Sequence, residues 1–213
     1  MIKTLTLAAG ALLMSACSVF GEPGVEIAPY SVIEKDEAIE VRHYPELVLV
    51  STPMDGGVDE SQRGSFGRLF DYISGENISA TKIPMTAPVF MGEDENVSEG
   101  QEIPMTAPVF MGDNGGQKMM SFVLPADMSF DEAPKPKNPA VRLEKIEDYT
   151  VGTITFSGFL SESNIKENRL ILESWLAKNG YNEIGVYKSA GYNAPWTLPM
   201  ARRNEVLIPV EKK

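Results

Sequence analysis

One ten-residue string is written twice in this chain. Ile83-Pro84-Met85-Thr86-Ala87-Pro88-Val89-Phe90-Met91-Gly92 returns letter for letter as Ile103-Pro104-Met105-Thr106-Ala107-Pro108-Val109-Phe110-Met111-Gly112. Two copies are too few for a solenoid, which needs about three or more stacked units. Each copy reads as a strand. On a period of two, Met85, Ala87, Val89 and Met91 share one face, and Pro84, Thr86, Pro88 and Phe90 the other. Both prolines then withhold their N–H groups along one edge, which predicts a sheet edge or a bulge. The acidic linker Glu93–Glu102 reads as an exposed loop between the two strands.

Around this doubled string the chain divides into two similar halves. In the first, Tyr30–Lys35, Ile39–Tyr44 and Leu47–Thr52 read as short strands. A helix follows, with Asp59 as cap, Gln62 three residues on, an apolar face of Phe66, Leu69, Phe70 and Ile73, and Gly75 as stop. The repeated strands and Met119–Leu124 complete this half. Pro125–Pro139 carries four prolines and reads as the extended connection between halves. In the second half Val141–Ile146 and Thr150–Phe156 are strands. Ser161 caps a helix whose face is Ile165, Leu172, Trp175 and Leu176, Gly180 ends it, and Ile184–Tyr187 and Val206–Val210 are strands. The expected fold is therefore α+β: two pseudo-repeated ββαββ-like halves whose strands merge into a distorted antiparallel β-barrel or curved sheet, flanked by two helices.

The N-terminus reads as a targeting segment. Lys3 precedes an apolar run, Leu5–Met14, that is too short to span a bilayer as a mature helix. Leu13-Met14-Ser15-Ala16-Cys17 resembles the lipobox of bacterial lipoproteins, in which the cysteine is lipidated and becomes the first residue. This divides the chain into a signal peptide (1–16), a tether from lipidated Cys17 (17–28) and one domain (29–211). Ser18, where aspartate is absent, points to the outer membrane facing the periplasm. Removing residues 1–16 removes one positive charge, Lys3, and takes the formal charge from −11 to −12. That balance argues against nucleic acid as a partner. Cys17 is the only cysteine, so once lipidated it leaves no thiol for disulfides, metal sites or catalysis.

Four stretches resemble the SOUL or haem-binding-protein family. They are Tyr30–Tyr44 with its Glu40-Val41-Arg42-His43-Tyr44, the string beginning Lys82-Ile83-Pro84, Phe156-Ser157-Gly158, and Gly191–Trp196 followed by Arg202-Arg203-Asn204-Glu205-Val206. Bacterial members often carry the string twice. The resemblance implies a distorted barrel with two long helices, and non-covalent binding of haem (haem b) or a related tetrapyrrole in an apolar groove.

His43 is the only histidine and the candidate axial ligand, because a neutral imidazole suffices to hold haem iron. Some family members carry a histidine at this point and others do not. Met85 and Met105 belong to a run of six methionines, Met85 to Met120, that would line the core or a groove; thioethers also ligate haem iron or Cu(I). Arg202 and Arg203 could pair with propionates, or bridge to Glu205. Tyr192 and Trp196 could wall a flat ligand or close the core. The acidic loop lacks the ligand spacing of a calcium site. No Gly-x-Ser-x-Gly elbow, Walker loop or dinucleotide fingerprint occurs.

The sequence is thus expected to encode a non-enzymatic envelope lipoprotein that binds haem or another planar apolar ligand. The rivals are a partner-binding lipoprotein that keeps the fold without haem, and a tetrapyrrole-modifying or hydrolase-like enzyme.

Overall fold

The computed structural model describes residues 24–54, 58–79 and 100–213. Among these the elements, in chain order, are β1 (Glu26–Ile27), β2 (Ser31–Asp36), β3 (Ile39–Pro53), α1 (Val58–Ile73), β4 (Asn77–Ile78), β5 (Thr106–Ala107), β6 (Val109–Asn114), β7 (Gln117–Val123), β8 (Lys135–Pro136), β9 (Arg142–Phe156), α2 (Glu162–Lys178), β10 (Tyr181–Glu183), β11 (Lys188–Gly191) and β12 (Asn204–Lys212). The signal peptide, Cys17, most of the tether, the first copy of the string with Met85, and residues 93–99 of the acidic linker lie outside the described residues.

Six strands close into an antiparallel barrel in the order β3, β7, β6, β11, β12, β9 and back to β3. Closure removes the free edges that an open sheet would expose. β2 and β10 attach outside the ring, to β3 and β12. Three apolar clusters follow from this plan. One fills the lumen, including Tyr44, Leu47, Leu49, Phe110, Val151, Tyr192 and Leu207. A second lies between α1 and the outer faces of β3 and β7, and the third between α2 and the outer faces of β3, β9 and β12.

Each half supplies a long strand, a helix and then a hairpin. The strand pairs expected at Ile39–Tyr44 with Leu47–Thr52, and at Val141–Ile146 with Thr150–Phe156, are each one continuous strand, because β3 and β9 pair with each other along almost their full length. The ladder is interrupted once, where Pro45 has no N–H to give and Asp148 opposite takes a φ of 50°. Both strands change facing there. Arg42 and Tyr44 point into the lumen before the break, Leu47 and Leu49 after it; on β9, Tyr149 and Val151 point in on one side and Ile146 on the other.

α2 follows the sequence closely. The Ser161 hydroxyl accepts the Asn164 N–H at 3.3 Å, Leu172 and Leu176 are buried, and Gly180 adopts a φ of 78° just beyond the end. α2 also lies unusually near the barrel: a Cβ on Gly152 of β9 would fall 2.7 Å from Leu176 Cδ2. α1 departs from expectation. It starts at Val58, so Asp59 lies inside it. Among its residues 64–73 the buried positions are Ser65, Leu69, Tyr72 and Ile73, whereas Phe66 and Phe70 are stacked on each other and exposed. Tyr72 wins the inward place because its hydroxyl donates to the Pro134 carbonyl at 2.8 Å.

The second copy of the string is not an edge strand. Its prolines precede or interrupt pairing: β5 ends at Ala107, the Ala107–Pro108 peptide is cis, and β6 then pairs on both sides. Met105, Val109 and Met111 pack on the α1 side and Phe110 fills the lumen, as period two requires, but Ala107 joins the lumen cluster instead. Ile184–Tyr187 is not a strand either. Those four residues span the gap between β10 and β11, where β12 offers only Ile208 and Pro209. Glu26–Ile27, which fall in the expected tether, pair in parallel with Thr106–Ala107, and Ala28 is buried.

Candidate functional site

The alternation on β3 that places Ile39 and Val41 under α2 turns Glu40, Arg42 and Tyr44 the other way, into the barrel. Arg42 is 2 % exposed and meets Glu205 of β12, 0 % exposed, through two parallel hydrogen bonds of 2.8 and 3.0 Å. Its Nε donates to Glu40 at 2.7 Å. Glu205 also accepts from Arg203 Nη2 at 2.7 Å, from the Tyr192 hydroxyl at 2.7 Å and from Thr155 at 3.2 Å. Tyr30 lies under the Arg42 guanidinium and Tyr192 under that of Arg203, with centroid distances of 4.4 and 4.1 Å. Burial opposes charge on Glu205, but the two guanidinium groups and the Tyr192 hydroxyl outweigh it and hold the carboxyl below its ordinary value. The same balance holds Arg42 above its ordinary value. Burial pushes Tyr192 well up, with Glu205 adding to it. The network is therefore charged, closed on itself and structural in its chemistry.

Two further phenols lie beside it. Tyr44 and Tyr149 have ring centroids 6.4 Å apart, and both hydroxyls are buried without a hydrogen-bond partner among the described residues. The nearby Arg42 guanidinium works to lower the Tyr44 pKa. Burial, chiefly, pushes Tyr44 up to about 12.

His43 faces outward, opposite to Arg42 and Tyr44. Its side chain is 32 % exposed, Nδ1 lies 3.3 Å from the Thr150 hydroxyl, and Nε2 lies 4.0 Å from Asp148. The neighbouring β2 pairs Ser31 with His43, while its exposed Val32 pairs with Arg42 and so faces the other way. An oriented imidazole on the outer surface is of the chemical kind that a haem iron ligand needs.

The other expected site residues do not converge on it. Met105 is half-buried in the cluster under α1. Tyr192 and Arg203 join the lumen network. Arg202 donates to the carbonyls of Thr197 and Pro195, at 2.8 and 2.6 Å, and covers Phe159. Trp196 is 70 % exposed on the same corner as Phe159, Leu198 and Met200. Neither arginine is thus unoccupied for propionates. Among the described residues no three His, Cys, Asp or Glu side chains converge as a metal-ligand cluster, and no helix is long and apolar enough to cross a membrane. The Arg42–Glu205 pair was not singled out from the sequence; the only signal was the repeated Arg-x-Glu/Glu-x-Arg spacing in Glu40–Arg42 and Arg203–Glu205.

A closed six-stranded barrel with a helix packed outside each half, and a buried ionic core, defines a duplicated α+β barrel class. The chain belongs to the SOUL heme-binding protein family, whose profile matches residues 25–100 and 90–209. It is 31% identical to human Heme-binding protein 2 over 202 residues, covering 93% of this chain and 90% of the relative. It is 25% identical to pig Heme-binding protein 1 over 199 residues, covering 90% and 95%. Among solved structures, an uncharacterized conserved protein from Listeria innocua superposes with a TM-score of 0.54 at 13% identity, covering 83% of this chain and 93% of that one. EcmrR in an EcmrR–DNA complex also gives 0.54, at 14% identity, covering 82% and 57%. These two are likenesses of fold alone.

Proposed function

We propose that this protein is a non-enzymatic binder of haem, or of a related planar tetrapyrrole, on the outer face of the barrel near His43. Membership of the SOUL family along residues 25–209 carries the reading. His43 supports it, since Thr150 orients the ring and leaves Nε2 toward the exposed surface. A bound haem b would supply the iron for this nitrogen to hold. The packed lumen cluster disfavours a macrocycle inside the barrel. The lipobox-like Cys17 adds an anchor in the bacterial envelope, with the domain facing the periplasm. Titration of the purified protein with haem, followed by the Soret band, tests this. A specific, near-stoichiometric shift is expected, with an altered band in His43→Ala. A response no greater than that of an unrelated acidic protein would reject haem binding.

The exposed corner of Phe159, Trp196, Leu198 and Met200 favours a second reading, a partner-binding lipoprotein that has kept the fold. Haem-independent capture of one envelope protein, lost on Trp196→Ser, would support it.

A further inference from the structure

At the end of the barrel where β6 runs into β7 lies a cavity of about 290 Å³, close to the lower bound of small-ligand sites. Phe110, Met119, Tyr149 and Lys188 line it, with Ser121 and Glu144 at its polar side. Lys188 projects from β11 and is half-buried. Its ammonium lies 5.7 Å from the Phe110 ring centroid and 5.4 Å from that of Tyr149. Its stem is seated on Gly112, the last residue of the repeated string, where a Cβ would come 3.0 Å from Lys188 Cγ.

The acids nearby are already engaged. Glu144 is paired with Arg142 at 2.6 Å and accepts from Ser51 at 3.3 Å, while Ser51 is bonded to Ser121 at 2.8 Å. Asp113 accepts the Gly116 N–H at 2.6 Å. Among the described residues Lys188 forms no ion pair, and burial lowers its pKa despite the field of Glu144. Tyr149 lines the same cavity with its ring, while its hydroxyl is buried away from it and has no hydrogen-bond partner among the described residues. A buried donor left unmatched is costly. Here a half-buried cation lacks an ion-pair partner among the described residues, and two aromatic rings and a methionine line the cavity beside it.

We infer that this cavity binds a small organic carboxylate with a flat apolar body, its carboxylate taken by Lys188 and its body by Phe110, Met119 and the ring of Tyr149. The haem reading is separate, since His43 lies on the outside of β3 and does not line the cavity.

Isothermal titration of the full-length protein with sodium benzoate, and separately with uncharged benzamide, tests the inference. Benzoate is expected to bind saturably at a single site. Lys188→Met should weaken it by about tenfold or more, as loss of one charge-assisted contact implies, and benzamide should bind weaker than benzoate by a similar factor. Lys188→Gln removes the charge but keeps a polar end, and should weaken benzoate by a similar factor; it carries the test if Lys188→Met lowers the thermal midpoint. His43→Ala should leave benzoate affinity unchanged. No saturable benzoate binding, equal affinity for benzamide, or equal affinity in wild type and Lys188→Met would overturn the inference.

Discussion

Glu205 is the residue on which most depends. It is fully buried, and two arginines, a tyrosine and a threonine converge on it. Glu205→Gln keeps its shape but leaves Arg42 without its bidentate counter-charge. Breaking a buried pair in this way costs about 3–5 kcal/mol, which urea unfolding would register. The same group sets an acid limit. Its folded pKa lies below the ordinary 4.5, so its contribution is complete above that value and is lost as pH falls through the depressed one. Stability should therefore drop below about pH 4.5 in the wild type, and that drop should be shallower in Glu205→Gln. The sequence showed these residues but not their union. Arg42 and Glu205 stand 163 positions apart, and nothing in the Glu40–Tyr44 alternation says that its charged face is the inner one. His43, by contrast, was visible because it is the only imidazole in the chain.

Helix α2 was legible nearly residue by residue because its signals are local: a hydroxyl cap, a face repeating at 3.6 residues and a glycine after the end. The long strands β3 and β9 were not, because each owes its continuity to the other and local rules place a turn at Pro45. The exposed face of α1 was misjudged for a related reason. Phe66 and Tyr72 compete for the inward side, and the carbonyl that decides for Tyr72 comes from Pro134, far along the chain. The tightest contact between helix and barrel is testable at this level. Gly152→Ala sets a methyl against Leu176 and should cost roughly 1–3 kcal/mol, as overpacking does. A thermal midpoint equal to the wild type would show that α2 can lift without penalty.

Taken whole, the molecule is a ring whose two halves meet at two seams, β3 against β9 and β6 against β11. If Cys17 carries the anchor proposed above, the wild-type chain should fractionate with membranes and Cys17→Ala should be released to the soluble fraction; an unchanged distribution would reject the anchor. The doubled string bears on how the ring is threaded. Copy two fills the β5–β6 position, yet every residue from Ile103 to Gly112 has an identical counterpart twenty places earlier. Up to Gly112 the side chains that enter the wall therefore carry no information about which copy belongs there; Asp113 and Asn114, which end β6, are the first to differ, from Glu93 and Asp94. That decision falls to the flanks: Gln101, locked to Asn77 by hydrogen bonds of 2.7 and 2.9 Å, and the Gly115–Gly116 turn that brings β7 back. Two interchangeable keys share one lock, and the neighbouring residues choose between them.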